Sequence, residues 1–224
     1  MLKKDFSQAA STQLFGVALA AIRPATEENG RYLVGILRIV AERLRHLLES
    51  TSDFTTIQRA NIEHALGLAL VVIGEQAGDA DSLDAATNAL RAALAEMPRD
   101  QVPLQWAAIE NNLGSALTTL GERESGTARL EEAVAAYGAA LEEMTRDRVP
   151  LQWATSTGNQ GMALMLLAER LGDATRAQSA VQQIEVAFVT LRDGGNAPAA
   201  AYYEAALPKA RALFKQLTTI NPAQ

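Results

Sequence analysis

Cysteine is absent from the 224 residues, which excludes disulfides, thiolate metal ligands and a cysteine nucleophile. Histidine is nearly absent too. His46 and His64 are the only two, they lie on different helices, and no histidine or carboxylate at zinc-ligand spacing recurs or clusters around either. Glu63-His64 resembles half of a metalloprotease motif, but the partner histidine is missing, with Leu68 four residues on. No segment reads as a strand, so no phosphate-binding glycine loop of the strand-to-helix kind is present. The net charge of -6 comes from interspersed acids and bases. That pattern offers no basic stripe to a phosphate backbone, and nucleic acid is not expected as a partner.

Long apolar runs are missing as well. Lys3 and Lys4 precede the nine apolar residues Leu14 to Ile22 in the manner of a signal peptide. Asp5, Ser7, Gln8, Ser11 and Gln13 interrupt that approach, and the run is too short to span a bilayer. It reads as a helix. The expectation is a cytoplasmic protein without membrane attachment, cofactor, metal ion or enzymatic activity.

What the chain does contain is a repeat. The stretch MPRDQVPLQWA from Met97 to Ala107 returns 47 residues later as MTRDRVPLQWA from Met144 to Ala154. The same register aligns Gly67, Gly114 and Gly161, then Ala86, Ala133 and Ala180, then Leu90, Tyr137 and Ile184. A period of this size means one helical hairpin used several times, each copy burying a face that it cannot bury alone.

Periodicity supplies the helices. Leu130, Ala133, Val134, Tyr137, Ala140, Leu141 and Met144 form one apolar face, and Ala177, Ala180, Val181, Ile184, Ala187, Phe188 and Leu191 repeat it. The preceding helix of each copy starts near Pro103 or Pro150, where a fixed φ and a missing N–H suit the first turn. Gly74 and Gly121 are expected to stop that helix. In the second copy its buried edge is Trp106, Ile109, Leu113, Leu117 and Leu120. Three copies are thus expected at about 57–103, 104–150 and 151–196, within a repeat region 51–196. Residues 1–50 read as a degenerate hairpin, 5–23 and then 27–49 with Leu33, Leu37, Val40, Leu44 and Leu47 on one face, broken at Arg23-Pro24. Residues 197–224 continue as a capping helix kinked at Pro208.

The order Leu113-Gly114, Ala133, Tyr137 and Ala140 resembles the tetratricopeptide repeat, and Leu66-Gly67, Ala86, Leu90, Ala93 and Pro98 follow the same order. The usual period there is about 34 residues. The longer one resembles a long-period bacterial variant akin to kinesin-light-chain repeats. Gln160 departs from the pattern, replacing the leucine before Gly161.

The resemblance implies an all-α fold, a right-handed α-α superhelix of antiparallel hairpins, acting as a non-enzymatic protein-protein interaction scaffold. It places a partner peptide or helix on the first helices. Carried over by position, that groove is His64, Leu68, Val71 and Val72, then Asn111, Ser115, Thr118 and Thr119, then Gly158, Met162, Met165 and Leu166. It lacks the Lys and Arg side chains with which chaperone-binding members clamp a carboxylate. A neutral-to-apolar groove suits an amphipathic helix or extended apolar segment of another protein. Two alternatives stand beside this: the apolar members are core covered by neighbouring helices or the C-terminal tail, or they mediate self-association into a homo-oligomer. Trp106 and Trp153 occupy one structural position and are expected to pack between hairpins. Arg99-Asp100 and Arg146-Asp147 are expected to set hairpin spacing through loop contacts.

Overall fold

A computed structural model describes residues 27–50 and 53–220. The segment 5–23, expected to be the first helix of the N-terminal hairpin, lies outside the described residues. These form eight helices: α1 (Glu27–Ser50), α2 (Thr56–Ala77), α3 (Ala80–Glu96), α4 (Pro103–Arg123), α5 (Ala128–Glu143), α6 (Pro150–Leu171), α7 (Ala174–Asp193) and α8 (Ala197–Ile220). No strand occurs among the described residues.

The chain divides into two compact units, with the division inside α4 between Ala116 and Leu117. In the first unit α1 packs on α2 and α2 on α3. In the second α5 packs on α6, α6 on α7 and α7 on α8, which also touches α6. Each unit is therefore a series of neighbouring helices with a seam of apolar side chains between them.

The local sequence explains the helix ends. Thr55 opens α2 with a reciprocal cap: its hydroxyl accepts from the Gln58 N–H at 3.3 Å, and Gln58 Oε1 accepts from the Thr55 N–H at 3.0 Å. Asp79 caps α3 by accepting from the Ser82 N–H at 3.3 Å, and Asp173 caps α7 by accepting from the Arg176 N–H at 2.9 Å. Val149 precedes α6 outside the α region, at φ -144° and ψ 68°, with Pro150 at the helix's first position.

Gly74 and Gly121 do not stop their helices. α2 continues to Ala77 and ends at Gly78, and α6 ends at Gly172, both glycines with positive φ near 65–68°. Only a residue without Cβ adopts that conformation cheaply, so the stop lies four residues beyond Gly74. Gly74 lies inside the last turns of α2, where it serves close helix approach instead.

The expected apolar faces are buried. Leu130, Ala133, Tyr137, Ala140 and Met144 of α5 are in the core, as are Ala177, Ala180, Ile184, Ala187 and Leu191 of α7. On α1 the buried residues are Leu37, Val40, Ala41 and Leu44; the side chain of Leu33 lies outside the described residues. α8 runs from Ala197 through Pro208 to Ile220. Proline lacks the N–H that would reach the Glu204 carbonyl, and both residues are exposed, so water can serve that carbonyl. The helix is not broken there. Its inner face is Tyr203, Leu207, Ala210, Leu213 and Leu217.

Candidate interaction surface

In the first unit His64 and Val71 are buried on α2, while Leu68 and Val72 are half-buried. Asn111 and Ser115 on α4 are also half-buried. The residue brought to His64 is Asn112, whose Nδ2 lies 2.8 Å from His64 Nε2. Because an amide nitrogen only donates, Nε2 is the acceptor and that ring nitrogen carries no proton. Burial pushes the imidazole down from its ordinary 6.5 to about 4. His64 is therefore a neutral core histidine at neutral pH.

Beside it, Glu63 is half-buried and its Oε2 has no hydrogen-bond partner. Desolvation, and then the nearby Glu96 charge, push its carboxyl up from 4.5 to about 6, with Arg59 opposing. Arg59 itself lies 3.8 Å from Glu96. Glu110, 47 residues on from Glu63, is also raised by burial, with Arg99 opposing. The third residue of this series is Thr157, buried with its hydroxyl lacking a partner. The position thus faces a partly dry environment in every copy.

In the second unit Thr118 and Thr119 on α4 are half-buried, and Thr118 Oγ1 lies 3.5 Å from the Tyr137 hydroxyl. On α6 Met165 is buried, whereas Met162 and Leu166 are half-buried. Met165 belongs to a cluster with Ala168, Ile184, Ala187 and Tyr203, and Met162 packs against it. Gly158 is covered: a Cβ there would stand 2.6 Å from Tyr203 Cζ and 2.7 Å from Ala187 Cβ. Tyr203 reaches across from α8, donates to Asn159 Oδ1 at 2.6 Å, and lies 3.0 Å from the Thr155 carbonyl. Burial pushes its phenol well above the ordinary range.

None of the carried-over side chains is fully exposed. Those with surface to offer are Leu68, Val72, Asn111 and Ser115 in the first unit, and Thr118, Thr119, Met162 and Leu166 in the second. All are uncharged.

Each tryptophan is half-buried and carries an arginine on its ring, Arg99 at 4.4 Å from Trp106 and Arg146 at 5.5 Å from Trp153. The recurring arginines thus act by stacking on the ring 7 residues downstream, within reach for cation–π attraction. Sequence reasoning assigned them to loop contacts. It also missed a polar pair in the third copy. Gln160 donates to the Val134 carbonyl at 3.0 Å and accepts from Gln183 Nε2 at 3.0 Å. The signal was present: Gln183 replaces Ala89 and Ala136 in the very copy where Gln160 replaces Leu66 and Leu113. Arg170 was missed as well; it donates to the carbonyls of Gly121 and Gly126 and ties α6 to the α4–α5 loop.

Among the described residues no three His, Cys, Asp or Glu side chains are grouped to hold a metal ion, and no helix is long and apolar enough to cross a membrane. Comparison with protein-family models, with curated proteins and with solved structures returns no match.

Proposed function

We propose that this chain is a non-enzymatic, tetratricopeptide-like scaffold of the cytoplasm, its hairpins continuing as a right-handed solenoid, and that it binds a peptide or amphipathic helix of another protein. The observation that carries this reading is the set of uncharged, half-buried side chains at matching register positions on α2, α4 and α6. Leu68, Ser115 and Met162 share one register position, and Val72, Thr119 and Leu166 share another. Half-buried apolar side chains retain area to cover, and covering it yields about 25 cal/mol per Å². Asn111, Ser115, Thr118 and Thr119 make this part of the surface polar without charge.

The test is affinity capture from source-cell lysate with wild type and a Leu68→Glu/Leu166→Glu variant of unchanged helicity. Specific capture lost in the variant supports the reading. Identical capture by both overturns it.

Self-assembly is the second reading, favoured by the exposed Val186 and Val189 on α7 and Tyr202 on α8. It predicts a mass that rises with concentration, abolished by Val186→Glu/Val189→Glu.

A further inference from the structure

α1 presents apolar side chains on a side that no described helix covers. Ile36 is 36% exposed and Ile39 is 61% exposed, while α1 packs on α2 through Leu37, Val40, Ala41 and Leu44. The register explains what the open side is for. Ile36 and Ile39 stand 47 residues before Leu83 and Ala86, the residues of α3 that lie against α2, its own hairpin partner. Val40 and Leu44 stand 94 residues before Val134 and Gly138, which in the second unit meet Gln160 of the following hairpin. So α1 uses the side that faces the next hairpin, and its Ile36–Ile39 side is the one that faces a hairpin partner.

The far end of the chain's helices shows the opposite chemistry. α8 is exposed at Pro208, Arg211 and Lys215, 47 residues after Gly161, Leu164 and Ala168. A charged, proline-bearing side offers little to an apolar neighbour, whereas Ile36 and Ile39, one turn apart on α1, offer a joint apolar surface.

We infer that residues 5–23 of this same chain, outside the described residues, dock on the Ile36–Ile39 face of α1 with Leu14 opposite Ile36. Three observations fix this occupant. Its apolar stretch Leu14 to Ile22 holds nine residues without a polar side chain. Only Pro24, Ala25 and Thr26 separate Arg23 from Glu27, where α1 starts, and so short a connection places consecutive helices side by side and antiparallel. The third observation gives the contact. In each described hairpin the residues that meet stand equally far from the loop. Gly74 and Leu83 are each three residues inside Ala77 and Ala80, Gly67 and Leu90 each ten inside, and Gly121 and Leu130 each two inside Arg123 and Ala128. The same rule pairs Leu14, nine residues before Arg23, with Ile36, nine residues after Glu27. Ser11 and its neighbour Ala10 then fall opposite Ile39.

The absence of native cysteine makes the test direct. The full chain carrying Leu14→Cys and Ile36→Cys is oxidised at low concentration and analysed on a non-reducing gel and by intact mass. The expected product is a monomer with one internal disulfide, formed at least ten times faster than in the control Leu14→Cys/Arg38→Cys, which puts the second thiol on the other side of α1. Equal rates in both pairs overturn the assignment. Disulfide-linked dimers as the main product make a second copy the occupant and also overturn it. Should the paired variant misfold, hydrogen exchange in Ile36→Asp/Ile39→Asp decides: residues 10–22 exchange faster while α2 and α3 stay protected, and unchanged exchange in 10–22 refutes the docking.

Discussion

Gly74 lies against Leu83, so closely that a Cβ on the glycine would stand 2.5 Å from Leu83 Cγ. Gly121 and Leu130 repeat the relationship, with 2.7 Å to Leu130 Cδ2. In the third copy both members change together, to Ala168 and Ala177, each buried. A methyl group gained on one helix is offset by an isobutyl group reduced to methyl on the other. The pair acts as one packing unit.

Gly74→Val should therefore destabilise the protein by about 1–3 kcal/mol through overpacking, despite valine's better helix propensity. Leu83→Ala alone should cost about 2–5 kcal/mol through a cavity. Gly74→Ala/Leu83→Ala reproduces the third copy, and its loss should be smaller than that of Leu83→Ala. Urea melts of wild type, Gly74→Ala, Leu83→Ala and the double variant give the coupling; additive losses would show that the two positions do not pack as a unit.

The polar pair of the third copy should be coupled in the same way. Gln160→Leu alone strands Gln183, whose Oε1 already lacks a partner, and should cost about 1–3 kcal/mol. Adding Gln183→Ala restores the Leu and Ala found in the other two copies and should recover most of that loss. A double variant less stable than Gln160→Leu would refute this account.

His64 and Glu63 give opposite dependences on pH. His64 resists protonation to about pH 4 when folded and takes a proton below 6.5 when unfolded, so its share of stability is complete above 6.5 and falls as pH falls toward 4. The maximum effect is about 3 kcal/mol. Glu63 holds its proton to about pH 6 when folded and loses it above 4.5 when unfolded. Its share is complete below 4.5 and is lost as pH rises through 6. Asp79, held below the ordinary 3.8 first by the Ser82 hydroxyl and then by the Ser82 N–H, and Asp173, held down first by the Arg176 N–H, act at lower pH. His64→Asn should hence lose less melting temperature between pH 7 and pH 4.5 than wild type, and Glu63→Gln should lose more. An unaltered profile in His64→Asn would show that its imidazole is accessible to protons.

Tyr203 joins α8 to α6 by filling the space above Gly158. Tyr203→Phe keeps the ring and deprives Asn159 of its donor, and should cost about 1–3 kcal/mol. Gly158→Ala inserts a methyl group 2.6 Å from Tyr203 Cζ and should loosen α8. Hydrogen exchange reports this as faster exchange in 197–220 with α5 unchanged; uniform protection would contradict it.

Helix positions and inward faces were legible because the apolar spacing follows the helical period over many residues, as from Leu130 to Met144. Gly74 was misread because a glycine near the end of a periodic run has two physical uses. Which one applies depends on Leu83, nine residues away and across a turn. The arginine stacks on Trp106 and Trp153 were hidden for a similar reason, since the loop geometry that folds Arg99 back onto the ring is not in the spacing. On the candidate surface, register identified which residues lie along the first helices but not how deeply each sits. Met165 and Leu166 are adjacent in sequence, and only packing against Tyr203 and Ile184 makes one core and leaves the other half-open.

The most direct test of the scaffold reading places a photo-crosslinking amino acid in the full chain, in source cells, at Leu68 or Leu166 on the first helices and at Asp81 or Gln178 on the second. Adducts to another protein from residues 68 and 166, and none from 81 and 178, are the predicted result. Adducts from the second-helix sites alone, or only to further copies of this chain, would contradict the reading.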